Sequence, residues 1–183
     1  DYSDDLTTGR ADVQGNAHFF FDTLFEGCTV LDVGAGLGKS KERIVRNEVT
    51  TWDVDVRMSK GASGLGKYPG CDLVGGEMPK GPYDLVTAFD VIEHVEDDFR
   101  LLRQMWDRSS QGVFFTTPNW YHTRCNEAKG GSTHHWREYT RTEIYALLDC
   151  IPVRVFGLVL AFYKDSAGGW WEHPREDDTK LCR

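Results

Sequence analysis

The feature that most constrains this chain is a cluster of glycines that directly follows a short apolar segment. Thr29–Val33 is rich in β-branched residues, which favour strands, and residues 34–38 read GAGLG. A helical segment over residues 39–47 and a second strand over residues 49–54 are predicted next. The order strand, glycine turn, helix, strand is typical of a parallel sheet covered by helices. Glycines in such a turn let the backbone approach a ligand, because no Cβ stands in the way.

Two common nucleotide-binding loops do not fit this turn. The dinucleotide pattern G-x-G-x-x-G starting at Gly34 needs a glycine where Lys39 stands, and the P-loop pattern ending at Gly38 needs one where Val33 stands. An acidic residue, Asp53, ends the next predicted strand, where a carboxylate can accept both hydroxyls of a ribose. The turn therefore predicts a nucleoside-bearing ligand held in another way. A tight strand-to-helix turn without a ligand is the alternative.

The rest of the chain continues the alternation of strands and helices. Residues 1–15 are polar and predict a loop or lid. A capping box of Thr140 and Glu143 predicts the start of a late helix. Apolar periodicity predicts helices at 16–25, 91–106 and 140–149, and strands at 72–75, 83–89, 112–117 and 153–160.

Composition limits the class of protein. The 183 residues suit one domain, and the net charge of −8 argues against a nucleic-acid partner. The five cysteines form no C-x-x-C pair, which predicts a reducing compartment and a cytoplasmic location. No apolar run reaches the roughly 20 residues that span a bilayer, so we expect neither a membrane span nor a signal peptide. The oligomeric state is left open.

Five segments, taken in order, point to a known family. They are VLDVGAGLG at 30–38, TTWDVD at 50–55, YDLVTAFDVIEHV at 83–95, GVFFTTPN at 112–119 and HHWREYTRTEI at 134–144. Together they resemble the class I S-adenosylmethionine-dependent methyltransferases.

The resemblance implies a single methyltransferase domain over residues 1–183. Its parts would be an N-terminal lid and helix (1–27), a core (28–163) and a tail (164–183). The implied fold is a three-layer α/β/α sandwich around a Rossmann-like, mostly parallel seven-stranded sheet of order 3-2-1-4-5-7-6, with strand seven antiparallel. The final strand starts near residue 179, belongs to a hairpin over 153–163, or is incomplete.

The resemblance also implies a cofactor, S-adenosyl-L-methionine, and the residues that bind it. The glycine turn would line the methionine part, with Asp32 beneath it, and Asp53 would hold the ribose hydroxyls. Glu77 stands near the position that usually contacts adenine, and Asp90 lies where the family faces the transferred methyl group. The implied cofactor-binding residues are Asp32, Gly34, Ala35, Gly36, Gly38, Asp53, Glu77 and Asp90.

Candidate catalytic groups follow the fourth and fifth strands, because open α/β sheets bind ligands at the carboxyl ends of their strands. His94 and His135 are the predicted bases for a hydroxyl acceptor, and Asp90 is the third predicted catalytic residue. We expect O-methylation of a small-molecule or sugar hydroxyl, without a metal. The loop 119–134 and the tail with the aromatic pair Trp170–Trp171 are expected to recognise the acceptor. Further candidates are Asn119, His122 and His134.

Two alternatives stay open on the sequence. If a helix begins near Asp90, then Asp90, Glu93 and His94 face the same way. With His135 they would form an oxygen/nitrogen metal site. That set resembles the Mn-dependent methyltransferases that act on the 3′-terminal 2′-hydroxyl of small RNAs. The second alternative is a non-catalytic cofactor-binding module, which cofactor binding without turnover would reveal.

Overall fold

A five-stranded parallel sheet of order β3-β2-β1-β4-β5 forms the centre of the first part of the chain. The computed structural model describes residues 10–54, 72–118, 135–149, 162–164 and 170–172. It divides into two compact units, residues 1–117 and 118–183. The strands are β1 (Thr29–Val33), β2 (Glu48–Asp53), β3 (Leu73–Val74), β4 (Tyr83–Phe89) and β5 (Ser109–Thr116). The helices of this unit are α1 (Arg10–Leu24), α2 (Ser40–Arg43) and α3 (Asp98–Trp106).

Both faces of this sheet are buried. Phe21 of α1 is completely buried and packs with Leu85 and Phe89 of β4 on one face. Leu31 and Val86 point to the opposite face, because side chains alternate along a strand, and they are completely buried as well. Burial on both faces is what a parallel sheet between two helical layers requires. The predicted Rossmann-like sandwich is therefore confirmed, and the sheet shows the first five positions of the predicted strand order.

The second unit contains α4 (Arg141–Asp149), β6 (Phe162–Lys164) and β7 (Trp170–Glu172) among its described residues. β6 and β7 pair antiparallel. The predicted capping box is confirmed: the Glu143 amide donates to Thr140 Oγ1 over 3.3 Å, and the Thr140 amide donates to Glu143 Oε2 over 2.8 Å. The predicted strand at 153–160 lies outside the described residues, as does residue 179, where the final strand was predicted to start as one option. Within the described ranges, the structure contains no helix of the length and apolarity that crossing a membrane requires.

Two predicted helices near the N-terminus were wrong in extent. α1 starts at Arg10 rather than at residue 16, so part of the predicted lid is helical. The side chain of Gln14 donates to the Phe89 carbonyl over 3.1 Å, which connects the part of α1 before residue 16 to the end of β4. The helix predicted over residues 39–47 is only the four-residue α2. Beyond it, the Arg46 amide donates to Asp22 Oδ1 over 2.9 Å, a tertiary bond that replaces a further helical one.

The helix predicted over residues 91–106 is also wrong, because it is split in two. A single 3-10 turn covers Ile92–His94, and α3 begins only at Asp98. The Asp97 side chain accepts the Arg100 amide over 3.0 Å, so it caps α3 and fixes the later start. Asp90 has a left-handed φ of 55°. The helical face that was predicted to join Asp90 to Glu93 and His94 therefore does not exist.

Candidate active site

The glycine turn after β1 is held by β2 and needs glycine at its first position. The amides of Gly34 and Ala35 both donate to the Trp52 carbonyl, over 2.8 and 3.1 Å. Gly34 has a φ of +69°, and a Cβ there would lie 2.6 Å from Val91 Cγ2. Gly36 and Gly38 also have positive φ values, 53° and 72°. Glycine at position 34 therefore lets the Val91 side chain pack directly against the turn, and the positive φ values favour glycine at all three positions.

Asp32 lies beneath the turn and connects three elements. Its Oδ2 accepts from Ser40 Oγ over 2.5 Å and its Oδ1 accepts from Thr87 Oγ1 over 2.9 Å. Burial of the carboxylate, with a smaller contribution from the charge of Asp53, raises the pKa of Asp32 to about 6, although both hydroxyls act to lower it. Asp32 thus fastens β1 to α2 and β4. Its predicted contact with the cofactor stays a prediction.

Asp53 ends β2 directly beside the turn. Its Oδ2 accepts the Gly36 amide over 2.9 Å, and the residue is buried. Its carbonyl accepts the Gly75 amide over 2.8 Å, which joins the ends of β2 and β3. Glu77, the predicted adenine contact, follows β3 and is exposed. The structure thus places a buried carboxylate at the end of β2, beside the glycine turn, and the ribose and adenine roles stay predictions.

Asp90 follows β4 in a strained conformation that β5 stabilises. Its amide donates to Thr116 Oγ1 over 3.1 Å, and Thr116 Oγ1 donates to Asp90 Oδ1 over 2.8 Å. A non-glycine residue with a left-handed φ costs roughly 1–3 kcal/mol and is found most often at functional sites. The two reciprocal bonds to Thr116 explain how the protein keeps this conformation at the carboxyl end of β4.

Glu93 and His94 form a carboxylate–imidazole pair in the 3-10 turn after Asp90. Glu93 is completely buried, and its Oε2 accepts from Thr117 Oγ1 over 3.2 Å. His94 Nε2 lies 3.9 Å from Glu93 Oε1, and 41% of the His94 side chain is exposed. The carboxylate is thus fixed inside the protein, while the imidazole beside it is accessible.

His135, the other predicted base, belongs to the second unit. Its Nδ1 lies 3.0 Å from Glu138 Oε1, so a carboxylate orients this imidazole too. Asn119, His122 and His134 lie outside the described residues, as does the rest of the loop 119–134. The two tryptophans, Trp170 and Trp171, belong to β7. The acceptor-recognition roles stay predictions.

His18 of α1 is a residue that the sequence did not identify. Its ring packs edge-on against Phe89 with centroids 4.1 Å apart, next to the end of β4. Burial, together with the positive charges of Arg43 and Lys39, lowers the pKa of His18 to about 3, so its imidazole is neutral. It stands four residues after Gln14, on the same helical face. The four-residue spacing between Gln14 and His18 indicates a shared helical face only if α1 is known to start before residue 16.

Comparison with known proteins identifies the family. A family profile described as a methyltransferase domain matches residues 8–182. The chain belongs to the methyltransferase domain family. This membership confirms the predicted S-adenosylmethionine-dependent methyltransferase superfamily, the predicted enzyme class and S-adenosyl-L-methionine as the cofactor.

One curated relative of this methyltransferase is the ubiquinone biosynthesis O-methyltransferase of Caulobacter vibrioides. It is 30% identical over 182 residues, which cover 86% of this chain and 70% of the relative.

Two solved structures share the fold. A SAM-dependent methyltransferase from Archaeoglobus fulgidus has a TM-score of 0.58 at 20% identity, and the match covers 77% of this chain and 68% of that one. The plantazolicin methyltransferase BpumL, solved with SAH, has a TM-score of 0.62 at 17% identity. The match covers 81% of this chain and 66% of BpumL.

Proposed function

We propose that this methyltransferase transfers a methyl group to a hydroxyl of a small molecule. The observation that carries the proposal is the pair at the carboxyl end of β4, in which accessible His94 stands beside the buried carboxylate of Glu93. An accessible imidazole can take the proton of an attacking hydroxyl. A neighbouring carboxylate favours the imidazolium that forms. The O-methyltransferase name of the Caulobacter relative supports oxygen as the acceptor atom.

The residues at the glycine turn fit S-adenosylmethionine. Gly36 and Gly38 present a backbone without a Cβ in the turn, and Asp53 accepts the Gly36 amide. Asp53 provides a carboxylate at the end of β2, suited to the two ribose hydroxyls. The bound cofactor supplies an electrophilic methyl group on a sulfonium. The protein must then align the acceptor oxygen with it and exclude water.

Each residue after β4 has a distinct role in this proposal. Asp90, held by Thr116, fixes the backbone from which the 3-10 turn starts. Thr117 holds the Glu93 carboxylate, and Glu93 orients and electrostatically supports His94. The 3.9 Å between His94 Nε2 and Glu93 Oε1 does not exclude the role, since catalytic contacts are often long before substrate binds. The partly exposed imidazole of His94 accepts the hydroxyl proton.

The proposal is tested by release of S-adenosylhomocysteine from the wild-type protein with separate pools of phenols, sugars, amines and RNA. We expect turnover with a hydroxyl-bearing small molecule. Turnover with amines or RNA alone would contradict the proposed acceptor class. Cofactor binding without turnover on any pool would favour the non-catalytic module instead.

The ribose role of Asp53 leads to a prediction about cofactor affinity. Replacing Asp53 with alanine removes a charged acceptor, worth roughly 1.5–3 kcal/mol, so binding of S-adenosylhomocysteine should weaken about tenfold to a hundredfold. Calorimetry measures this directly, with Asp55→Ala as the matched control one alternation further along the chain. Loss of binding in Asp55→Ala and not in Asp53→Ala would move the ribose contact to Asp55. Normal binding by both variants would refute the assignment.

A further inference from the structure

The peptide that joins Phe89 to Asp90, at the carboxyl end of β4, is held at both of its polar atoms by other elements. The Gln14 side chain of α1 donates from Nε2 to the Phe89 carbonyl over 3.1 Å. The Asp90 amide donates to the Thr116 carbonyl over 3.2 Å and to Thr116 Oγ1 over 3.1 Å. Rotation of this peptide would therefore break hydrogen bonds to both α1 and β5.

The orientation of this peptide sets the conformation of Asp90. Rotating the peptide plane changes φ of the residue that follows it, and Asp90 has a φ of 55°. Such a conformation is unfavourable for a residue with a Cβ, and it persists only where the surrounding structure holds it in place. Gln14 and Thr116 act on the two ends of the same peptide and so provide restraints of this kind.

Aromatic contacts dock α1 on the same residue of β4. Gln14, His18 and Phe21 are spaced as residues on one face of a helix. The His18 ring packs on the Phe89 ring with centroids 4.1 Å apart, and the Phe21 ring meets it at 90° with centroids 6.3 Å apart. These two rings hold α1 against β4 without the Gln14 amide. The hydrogen bond of Gln14 can therefore be removed while the packing of α1 is kept.

We propose that Gln14 is a positioning residue, which holds the Phe89–Asp90 peptide so that the 3-10 turn presents the His94 imidazole to the acceptor. The Val91 carbonyl, one residue after Asp90, accepts the His94 amide over 3.0 Å. The backbone orientation at Asp90 is thus passed directly to His94. This inference rests on the proposed function, in which His94 is the base.

The first measurement, hydrogen exchange at the Asp90 amide, needs no acceptor. Gln14→Met keeps a side chain of the same length and removes the donor. We expect the Asp90 amide to exchange about threefold to tenfold faster than in the wild-type protein, because the peptide loses one restraint. Asn16→Leu, at an exposed position of the same helix, is the matched control and should exchange as the wild type does. Unchanged exchange at Asp90 in Gln14→Met would overturn the proposal.

Turnover then tests whether Gln14 acts through His94. With a single phenol or sugar from the active pool, kcat of Gln14→Met should fall about threefold to tenfold, with the affinity for S-adenosylhomocysteine close to that of wild type. In a His94→Ala background the same substitution should change kcat less than about twofold, because the base that it positions is gone. An equal factor in both backgrounds would show a merely structural role and overturn the proposal. A loss of S-adenosylhomocysteine affinity as large as the loss of kcat would assign Gln14 to cofactor binding and also overturn it.

Gln14→Glu provides a second variant, of the same shape, whose donor depends on pH. An ionised carboxylate cannot donate to the Phe89 carbonyl, whereas a protonated carboxyl can. The kcat relative to wild type at the same pH should therefore be low near about pH 8 and rise as the pH falls to about 5. A ratio that does not change with pH would contradict the proposal. Full turnover by His94→Ala would refute the base of the proposed function and the inference with it, whereas unchanged exchange at Asp90 beside an impaired His94→Ala would overturn the inference alone.

Discussion

Replacing His94 with alanine is expected to lower kcat by about 10²–10⁴-fold, the usual effect of losing a general base. The binding of S-adenosylhomocysteine should stay close to that of the wild-type protein, because His94 follows β4 and does not belong to the glycine turn. The measurement is steady-state turnover of the hydroxyl acceptor together with calorimetry of the cofactor product. A loss of cofactor affinity as large as the loss of kcat would contradict a role as base.

The companion variant Glu93→Gln distinguishes a supporting carboxylate from a metal ligand. Glutamine keeps an oxygen that can accept from Thr117 Oγ1, so turnover should fall far less than in His94→Ala. His135→Ala should also lower turnover, and activity should survive exhaustive chelation. The metal alternative predicts instead that Asp90, Glu93, His94 and His135 matter alike. It also predicts that Mn²⁺ restores the chelated enzyme. That pattern would replace the metal-independent proposal.

The strands were predictable because their signals are local. β1 and β4 have the predicted bounds, Thr29–Val33 and Tyr83–Phe89. Both are short apolar runs, and β1 ends at a glycine turn, so the pattern fixed both type and length. The capping box at Thr140 was also predictable, since its two partners stand three residues apart. Features of this kind need no knowledge of the rest of the fold.

The misjudged segments depend on contacts between residues distant in sequence. Gln14 reaches a carbonyl of β4, and Asp22 binds the backbone at Arg46, so α1 extends and α2 ends early. Asp90 is held by Thr116 of β5 in a conformation that no helix allows. These tertiary hydrogen bonds outweigh the local preference for a helix, and the local sequence does not predict them. The same limit hid His18, which packs on Phe89 of β4 and is affected by the charges of Lys39, just before α2, and Arg43, the last residue of α2.

Acid is expected to destabilise the protein through His18. Its pKa falls from 6.5 to about 3 on folding, so the unfolded chain binds the proton more readily. The stability that this neutral imidazole contributes is present above pH 6.5 and is lost as the pH falls toward 3. A difference of that size corresponds to about 4–5 kcal/mol over the whole interval.

Asp32 acts in the opposite direction over part of the same interval. Its pKa rises from 3.8 to about 6 on folding, so its contribution is present below pH 3.8 and is lost as the pH rises through 6. Acidification from pH 6 to 4 therefore returns about 3 kcal/mol through Asp32 while it removes a similar amount through His18. In the wild-type protein, the changes in stability that come from His18 and Asp32 nearly cancel until the pH falls below about 4. Below that pH the loss of stability through His18 dominates.

Two variants separate these opposing contributions. His18→Leu removes the acid-sensitive imidazole, so its stability relative to wild type should rise by about 1.4 kcal/mol for each pH unit below 6.5. Asp32→Asn removes the buried charge. The free energy of unfolding of this variant relative to wild type should therefore be greatest above pH 6 and should decrease as the pH approaches 4. Chemical denaturation at a series of pH values from neutral to acid gives each free energy of unfolding. Parallel curves for wild type and both variants would show that neither group titrates differently in the folded and unfolded states.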